Sequence, residues 1–146
     1  MDSGLRVAAT NGVFRLTLTR PETRNALTRS LCAALRAALH AAAADPQCRA
    51  LVIEGSGGCF ASGADLAEID RLRAQPELLR VTYRELRETQ ELLSAFAQPT
   101  VAAIDGYCLG AGLSLALACD LCIASARSVF AAPPARLGLL YSDREV

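Results

Sequence analysis

The chain has 146 residues, of which 52% are apolar, enough for one domain with a real core over residues 1–146. Fifteen basic residues, all of them arginine, balance fifteen acidic ones, so net charge gives no footprint for nucleic acid or an anionic membrane. The start, Met1-Asp2-Ser3-Gly4, is not a signal peptide, and no apolar run reaches the ~18 residues of a membrane-spanning helix.

The longest apolar stretch, residues 108–118, is broken by Gly110, Gly112 and Ser114. The expected setting is the cytoplasm, where Cys32, Cys48, Cys59, Cys108, Cys119 and Cys122 stay reduced as core residues. Cys119 and Cys122 form a C-x-x-C. A redox or zinc role would need exposed thiols or a second ligand pair, and there is no second pair.

Residues 6–10 and 13–19 are runs rich in Val, Leu and Thr around Asn11-Gly12, a strong hairpin-turn signal. A polar loop over residues 20–25 follows. Thr28 is placed to cap a helix over residues 29–44, with Leu27, Leu31, Leu35 and Leu39 on one face. Asp45-Pro46 ends it. Residues 50–54 read as a buried strand and 55–58 as a glycine-rich loop. Residues 64–73 and 77–96 read as helices split near Pro76, the second with a charged face. A second buried strand covers 100–104. Asp105-Gly106 turns the chain, and Gly110-Ala111-Gly112 opens a helix to about 118. Residues 121–124 and 129–130 read as short strands, and 133–146 as a loop. The predicted class is α/β with mostly parallel buried strands.

Two loops carry the chemistry: Cys59-Phe60-Ala61-Ser62-Gly63-Ala64-Asp65-Leu66 and Gly106-Tyr107-Cys108-Leu109-Gly110-Ala111-Gly112. Small residues let a ligand approach the backbone, and a helix start leaves N–H groups without intrahelical partners. Two such donors aimed at one oxygen form an oxyanion hole. The alternative for each loop is a tight strand-to-helix turn with small residues for packing.

Four segments together resemble the enoyl-CoA hydratase/isomerase (crotonase) family. Residues 20–27, R-P-E-T-R-N-A-L, are similar to the family's R-P-E-x-x-N-A-L opening. Residues 60–66, F-A-S-G-A-D-L, resemble its F-x-x-G-A-D-L loop. Residues 105–120 resemble its N-G-x-x-x-G-G-G-x-x-L-A-x-x-C-D block, and Phe130, Pro133 and Leu137-Gly138 its F-x-x-P-E-x-x-L-G segment.

The resemblance implies a superhelix of ββα units with layered, mostly parallel sheets, and a further helical region beyond the end of this chain. It implies a trimer or hexamer that acts on acyl-CoA with no separate cofactor. Carried over, the oxyanion donors are the backbone N–H groups of Ala64 and Ala111, the latter in place of the usual glycine. Arg24 and Ala26 line the CoA nucleotide, and Ser62, Asp65 and Leu66 flank the pantetheine and adenine. Leu109, Gly110, Pro133 and Leu137 complete the expected contacts.

The departures bear on the reaction. The two glutamates with which hydratases handle water and the α-proton are matched here by Ser114 and Pro134. Neither can act as a carboxylate base, so hydration is in doubt. The family also isomerises, decarboxylates, dehalogenates and hydrolyses thioesters. Decarboxylation asks least, because loss of CO₂ itself creates the enolate. Tyr141 falls where a methylmalonyl-CoA decarboxylase of the family carries a catalytic tyrosine, although the accompanying histidine is Ala64 here. The expectation is a crotonase-family lyase or isomerase. The alternative is a catalytically impaired acyl-CoA-binding module or truncated scaffold subunit. A serine-hydrolase reading of Ser114 would need a base, and the single histidine, His40, lies on a helix away from its leucine face.

Overall fold

The computed structural model describes residues 3–132. Strands β1 (Leu5–Thr10) and β2 (Val13–Leu18) form an antiparallel hairpin. Asn11 and Gly12 have φ of 52° and 80°, the pair of positive values that a two-residue turn matched to strand twist requires.

A 3-10 turn, Pro21–Thr23, leads to helix α1 (Arg29–Ala44). The Thr28 hydroxyl accepts from the Leu31 N–H at 3.2 Å, the capping bond expected of threonine before a helix. Leu31, Leu35 and Leu39 are buried and His40 is exposed, as the helical period dictates.

The remaining elements are β3 (Ala50–Gly55), α2 (Leu66–Leu72), α3 (Pro76–Ser94), β4 (Thr100–Ile104), β5 (Tyr107–Leu109), α4 (Ala111–Leu117), β6 (Leu121–Ala124) and β7 (Val129–Ala131). Pro76 opens α3 at its first turn, where a missing N–H costs nothing. The preceding helix starts at Leu66 rather than 64, because Asp65 caps it: its carboxylate accepts from the Glu68 N–H at 3.0 Å. No helix among the described residues is long and apolar enough to cross a membrane.

Five strands form one sheet in the order β1-β2-β3-β4-β6, and β5 pairs with β7 in a second. Every pairing except the opening hairpin is parallel, so helices and loops make the crossovers. Leu16, Leu18, Leu51, Ile53, Ala102 and Ile104 from β2, β3 and β4 join Leu31, Leu35 and Leu39 of α1 and Leu93 of α3 in the core. Arg29 of α1 grips the Glu85 carboxylate of α3 at 2.8 and 3.2 Å, and Arg36 reaches the Glu85 carbonyl at 2.8 Å.

Two features were not read from the sequence. The short strand β5 was not foreseen, since three residues between two glycine turns carry no period. The strands expected over 121–124 and 129–130 are present, and every residue of β6 and β7 is exposed. β6 ends the larger sheet, and an edge strand has a neighbour on one side only.

The turn between β6 and β7 is tied back to the end of β4. Arg127 donates from Nε to Asp105 at 2.7 Å and from a second nitrogen to the other carboxylate oxygen, while the Ser125 hydroxyl donates at 2.8 Å. The Arg127 side chain, then that of Ser125, lower the Asp105 pKa from 3.8 to about 2. A carboxylate depressed in the folded state stabilises it above the unfolded pKa and loses that contribution as pH falls through the folded one. The thermal midpoint should therefore drop between pH 3.8 and about 2, and Asp105→Asn should flatten that part of the profile. An unchanged slope in the variant would show that the pair does not survive in solution.

Candidate functional site: a seam of three backbone segments

The first loop between β3 and α2 lies between the chain entering α1 and the chain entering α4. On one side the Leu27 N–H donates to Gly63 O at 2.8 Å and the Asp65 N–H to Leu27 O at 3.0 Å, with Ser62 N–H to Arg24 O at 2.9 Å. On the other, the Ala61 N–H donates to Tyr107 O at 3.0 Å and the Leu109 N–H to Ala61 O at 2.9 Å. These are two short parallel bridges, Leu27 with Ala64 and Ala61 with Cys108.

Ala64 and Ala111 are among the donors these bonds leave over. Neither the Ala64 N–H nor the Ala111 N–H donates to an acceptor among the described residues. Ala111 is the first residue of α4, so its N–H has no intrahelical partner. The loops touch nearby: a methyl group placed on Gly63 would lie 3.1 Å from Leu109 O and 3.6 Å from Ala111 N. Gly63 also has φ of 107°, which side chains strain to adopt. At Gly112 an added carbon would meet Ala61 O at 2.7 Å. Glycine at both positions is what lets the loops approach. A crevice lined by Leu27, Cys32, Ala64, Ile69, Tyr83 and Leu86 among others includes Ala64 but not Ala111. It runs between α1, α2 and α3 rather than across the two donors.

The segment 20–27 is held by side chains. Asn25 is fully buried; its Oδ1 accepts from Arg20 N–H at 2.8 Å, and its Nδ2 donates to Ser56 O at 2.9 Å and Cys59 O at 2.7 Å. Arg24 and Asn25 have φ of 53° and 54°, a region asparagine tolerates better than most residues. Arg20 donates to Ala26 O at 2.6 Å and pairs with Asp65 at 3.3 Å. Asp65 thus caps α2 and anchors the loop to the first segment.

Around the seam, the exposed Arg24 guanidinium sits 5.5 Å from the centre of the Tyr107 ring, within cation–π range. The Ser62 hydroxyl donates to Thr23 O at 3.2 Å. Burial pushes the Cys59 thiol up and the Cys108 thiol to about 12, so neither offers a thiolate nucleophile near neutrality. Ser114 turns its hydroxyl back to Gly110 O at 3.4 Å, and among the described residues no side-chain base is hydrogen-bonded to it; His40 is exposed on α1. No group of three metal-ligating side chains occurs among the described residues.

Of the residues singled out from sequence, Arg24, Ala26, Ser62, Ala64, Asp65, Leu109, Gly110, Ala111 and Ser114 all lie on the seam or the helix it opens. Leu66 is 54% exposed at the start of α2. Pro133, Pro134, Leu137 and Tyr141 lie outside the described residues. Sequence reasoning missed Asn25 and Arg20 as structural members, although both stand in the R-P-E-x-x-N motif.

The sequence profile described as enoyl-CoA hydratase/isomerase matches residues 8–143. The chain belongs to the enoyl-CoA hydratase/isomerase family. It is 39% identical to the 2,3-dehydroadipyl-CoA hydratase of Escherichia coli K12 over 94% of this chain and 52% of that one. It is 36% identical to the hydroxycinnamoyl-CoA hydratase-lyase of Pseudomonas fluorescens over 86% of this chain and 47% of that one. An enoyl-CoA hydratase/isomerase family protein of Hyphomonas neptunium superposes with a TM-score of 0.92 at 31% identity, over 97% of this chain and 55% of that one. The fold is thus that of the crotonase family, and the chain spans about half the length of the relatives it matches.

Asn25 gives the sharpest test of the seam. Asn25→Ala would leave Arg20 N–H, Ser56 O and Cys59 O without their partner, at ~1–3 kcal/mol per buried group left unpaired. Urea unfolding should show a loss of more than ~2 kcal/mol on that basis. A loss below ~0.5 kcal/mol would mean that water replaces the amide freely.

Proposed function

We propose that this protein binds an acyl-CoA thioester and stabilises its enolate between the backbone N–H groups of Ala64 and Ala111. One observation carries the reading: two donors without partners, on two loops laced together by backbone bonds. The names of the relatives, hydratases and a hydratase-lyase of CoA thioesters, supply the substrate class. A thioester oxygen gains negative charge as the enolate forms, and fixed N–H dipoles stabilise that charge without reorganising. Ala111 at the first turn of α4 adds the positive end of a short helix. Ala111 keeps its N–H despite replacing the family's usual glycine.

In this reading Arg24, Ala26, Ser62, Asp65 and Leu66 flank the CoA moiety, with Leu109, Gly110, Pro133 and Leu137 nearer the acyl group. No further cofactor is called for. The assembly proposed is a trimer or hexamer, in the cytoplasm. Ser114 and Pro134 stand at the two acid/base places, so the favoured chemistry is enolate formation without a carboxylate base. Decarboxylation of a malonyl-type thioester fits that requirement, with Tyr141 as a candidate proton donor. The second reading, an acyl-CoA-binding module without turnover, is favoured by Ser114, whose hydroxyl is spent on Gly110 O.

Ala111→Pro tests the hole directly. Proline is tolerated at the first helical position but has no N–H. Removing one oxyanion donor costs ~10²–10³-fold. The enolate absorbance of bound acetoacetyl-CoA should fall by about that factor in apparent affinity, with the melting transition kept. Equal enolate absorbance in wild type and variant would remove Ala111 from the site.

A second outcome follows from Ser114 and Pro134. General acid–base groups contribute roughly 10²–10⁴-fold, so hydration of crotonyl-CoA should run at least ~10²-fold below that of a relative with both glutamates. Hydration at a relative's rate, unaffected by Ser114→Ala, would refute the assignment of those positions.

A further inference from the structure

Cys119 and Cys122 flank the turn that takes the chain from α4 into β6. Their sulfurs approach consecutive carbonyls of the last helical turn: Cys119 Sγ lies 3.9 Å from Leu115 O and Cys122 Sγ 3.2 Å from Ala116 O. The turn between them is clamped at Asp120. Its carboxylate accepts from the Thr100 N–H at 2.7 Å and the Thr100 hydroxyl at 2.8 Å, and its N–H donates to that hydroxyl at 2.8 Å. Both thiols are therefore held on the helix side of a turn whose shape is fixed from β4.

The pair differs from the other cysteines. Cys32, Cys48, Cys59 and Cys108 are buried, whereas Cys119 is half-buried and Cys122 exposed. A thiolate at Cys122 would raise the pKa of both Cys119 and Cys108, so the three sulfurs are electrostatic neighbours. No group of three ligands placed to hold a metal occurs among the described residues, and the pair itself has the chemistry of a dithiol.

We propose that Cys119 and Cys122 are a modification site, oxidised by low-molecular-weight disulfides to an intramolecular disulfide across the α4–β6 turn. The Cys122 thiolate attacks one sulfur of the small disulfide. A bond forms from Cys122 Sγ to that sulfur, the original S–S bond breaks, and the leaving thiolate takes up a proton. The Cys119 thiolate then attacks Cys122 Sγ, closing the protein disulfide and releasing the second small thiol. Two protein thiols lose two electrons and two protons, and one small disulfide becomes two thiols. Burial raises the Cys122 thiol, which slows the first step. Burial also pushes the Cys119 thiol up to about 12, so the second step runs through a small thiolate fraction that grows with pH, but it is intramolecular and needs no collision. The bond ties the end of α4, the helix that starts at Ala111, to strand β6. It requires nothing of the ligand reading above.

The test incubates the reduced full chain with oxidised glutathione, blocks remaining thiols at low pH, and cleaves before aspartate, which separates Cys119 from Cys122 at Asp120. The expected product is a pair of peptides joined through Cys119 and Cys122, located by fragmentation and released by dithiothreitol. Cys119→Ser should stop at one glutathionyl group on Cys122, and Cys122→Ser should yield neither adduct nor link at this turn. Fragmentation also distinguishes Cys108, which shares the upstream peptide, without relying on a core variant. A link from Cys108 to Cys122, a lasting glutathionyl adduct on wild-type Cys122, or no reaction at either thiol would each overturn the proposal.

Discussion

The backbone hydrogen bonds on either side of residues 61–65 fix where every other part of the site can be. Leu27 holds this loop from one flank and Tyr107 and Leu109 from the other, at 2.8–3.0 Å. Each bond is a backbone pair that folding merely exchanges for water contacts, so each contributes only about 1 kcal/mol net. Their geometric effect is larger. Three segments far apart in sequence are brought into register, and the Ala64 and Ala111 N–H groups lie on two of them.

That arrangement depends on small residues and on one buried amide. A side chain at Gly112 would collide with Ala61, separating the loop from the start of α4. Asn25 supplies three bonds from a fully buried position, and Arg20 with Asp65 closes the same corner. The R-P-E-x-x-N stretch therefore builds the scaffold under the site, while the exposed Arg24 and the Tyr107 ring beneath it form its outer surface.

Much of this was legible in the sequence because local rules and tertiary demands agreed. The leucine period and Thr28 gave α1 with its observed ends, and Asn11-Gly12 gave the hairpin. The apolar runs at β3 and β4 gave two central strands. The glycines of the second loop gave the opening of α4. Legibility failed where structure is set by partners distant in sequence. β5 exists because Tyr107 and Cys108 meet Ala61 on one side and Val129 and Phe130 on the other, and nothing local announces that. The exposure of β6 is likewise a matter of which strand stands next to it, which four apolar residues cannot encode. The structural role of Asn25 was missed because a buried amide and an exposed one look alike in sequence.

The central claim is that Ala64 and Ala111 donate to one oxygen. Amide proton shifts measured while acetyl-CoA is titrated into the labelled protein test it most directly. A hydrogen bond to a polarised thioester oxygen moves an amide proton downfield. The account predicts that the Ala64 and Ala111 resonances move downfield together and saturate at the same ligand concentration. Movement of one without the other, or of neither while the ligand binds, would contradict it.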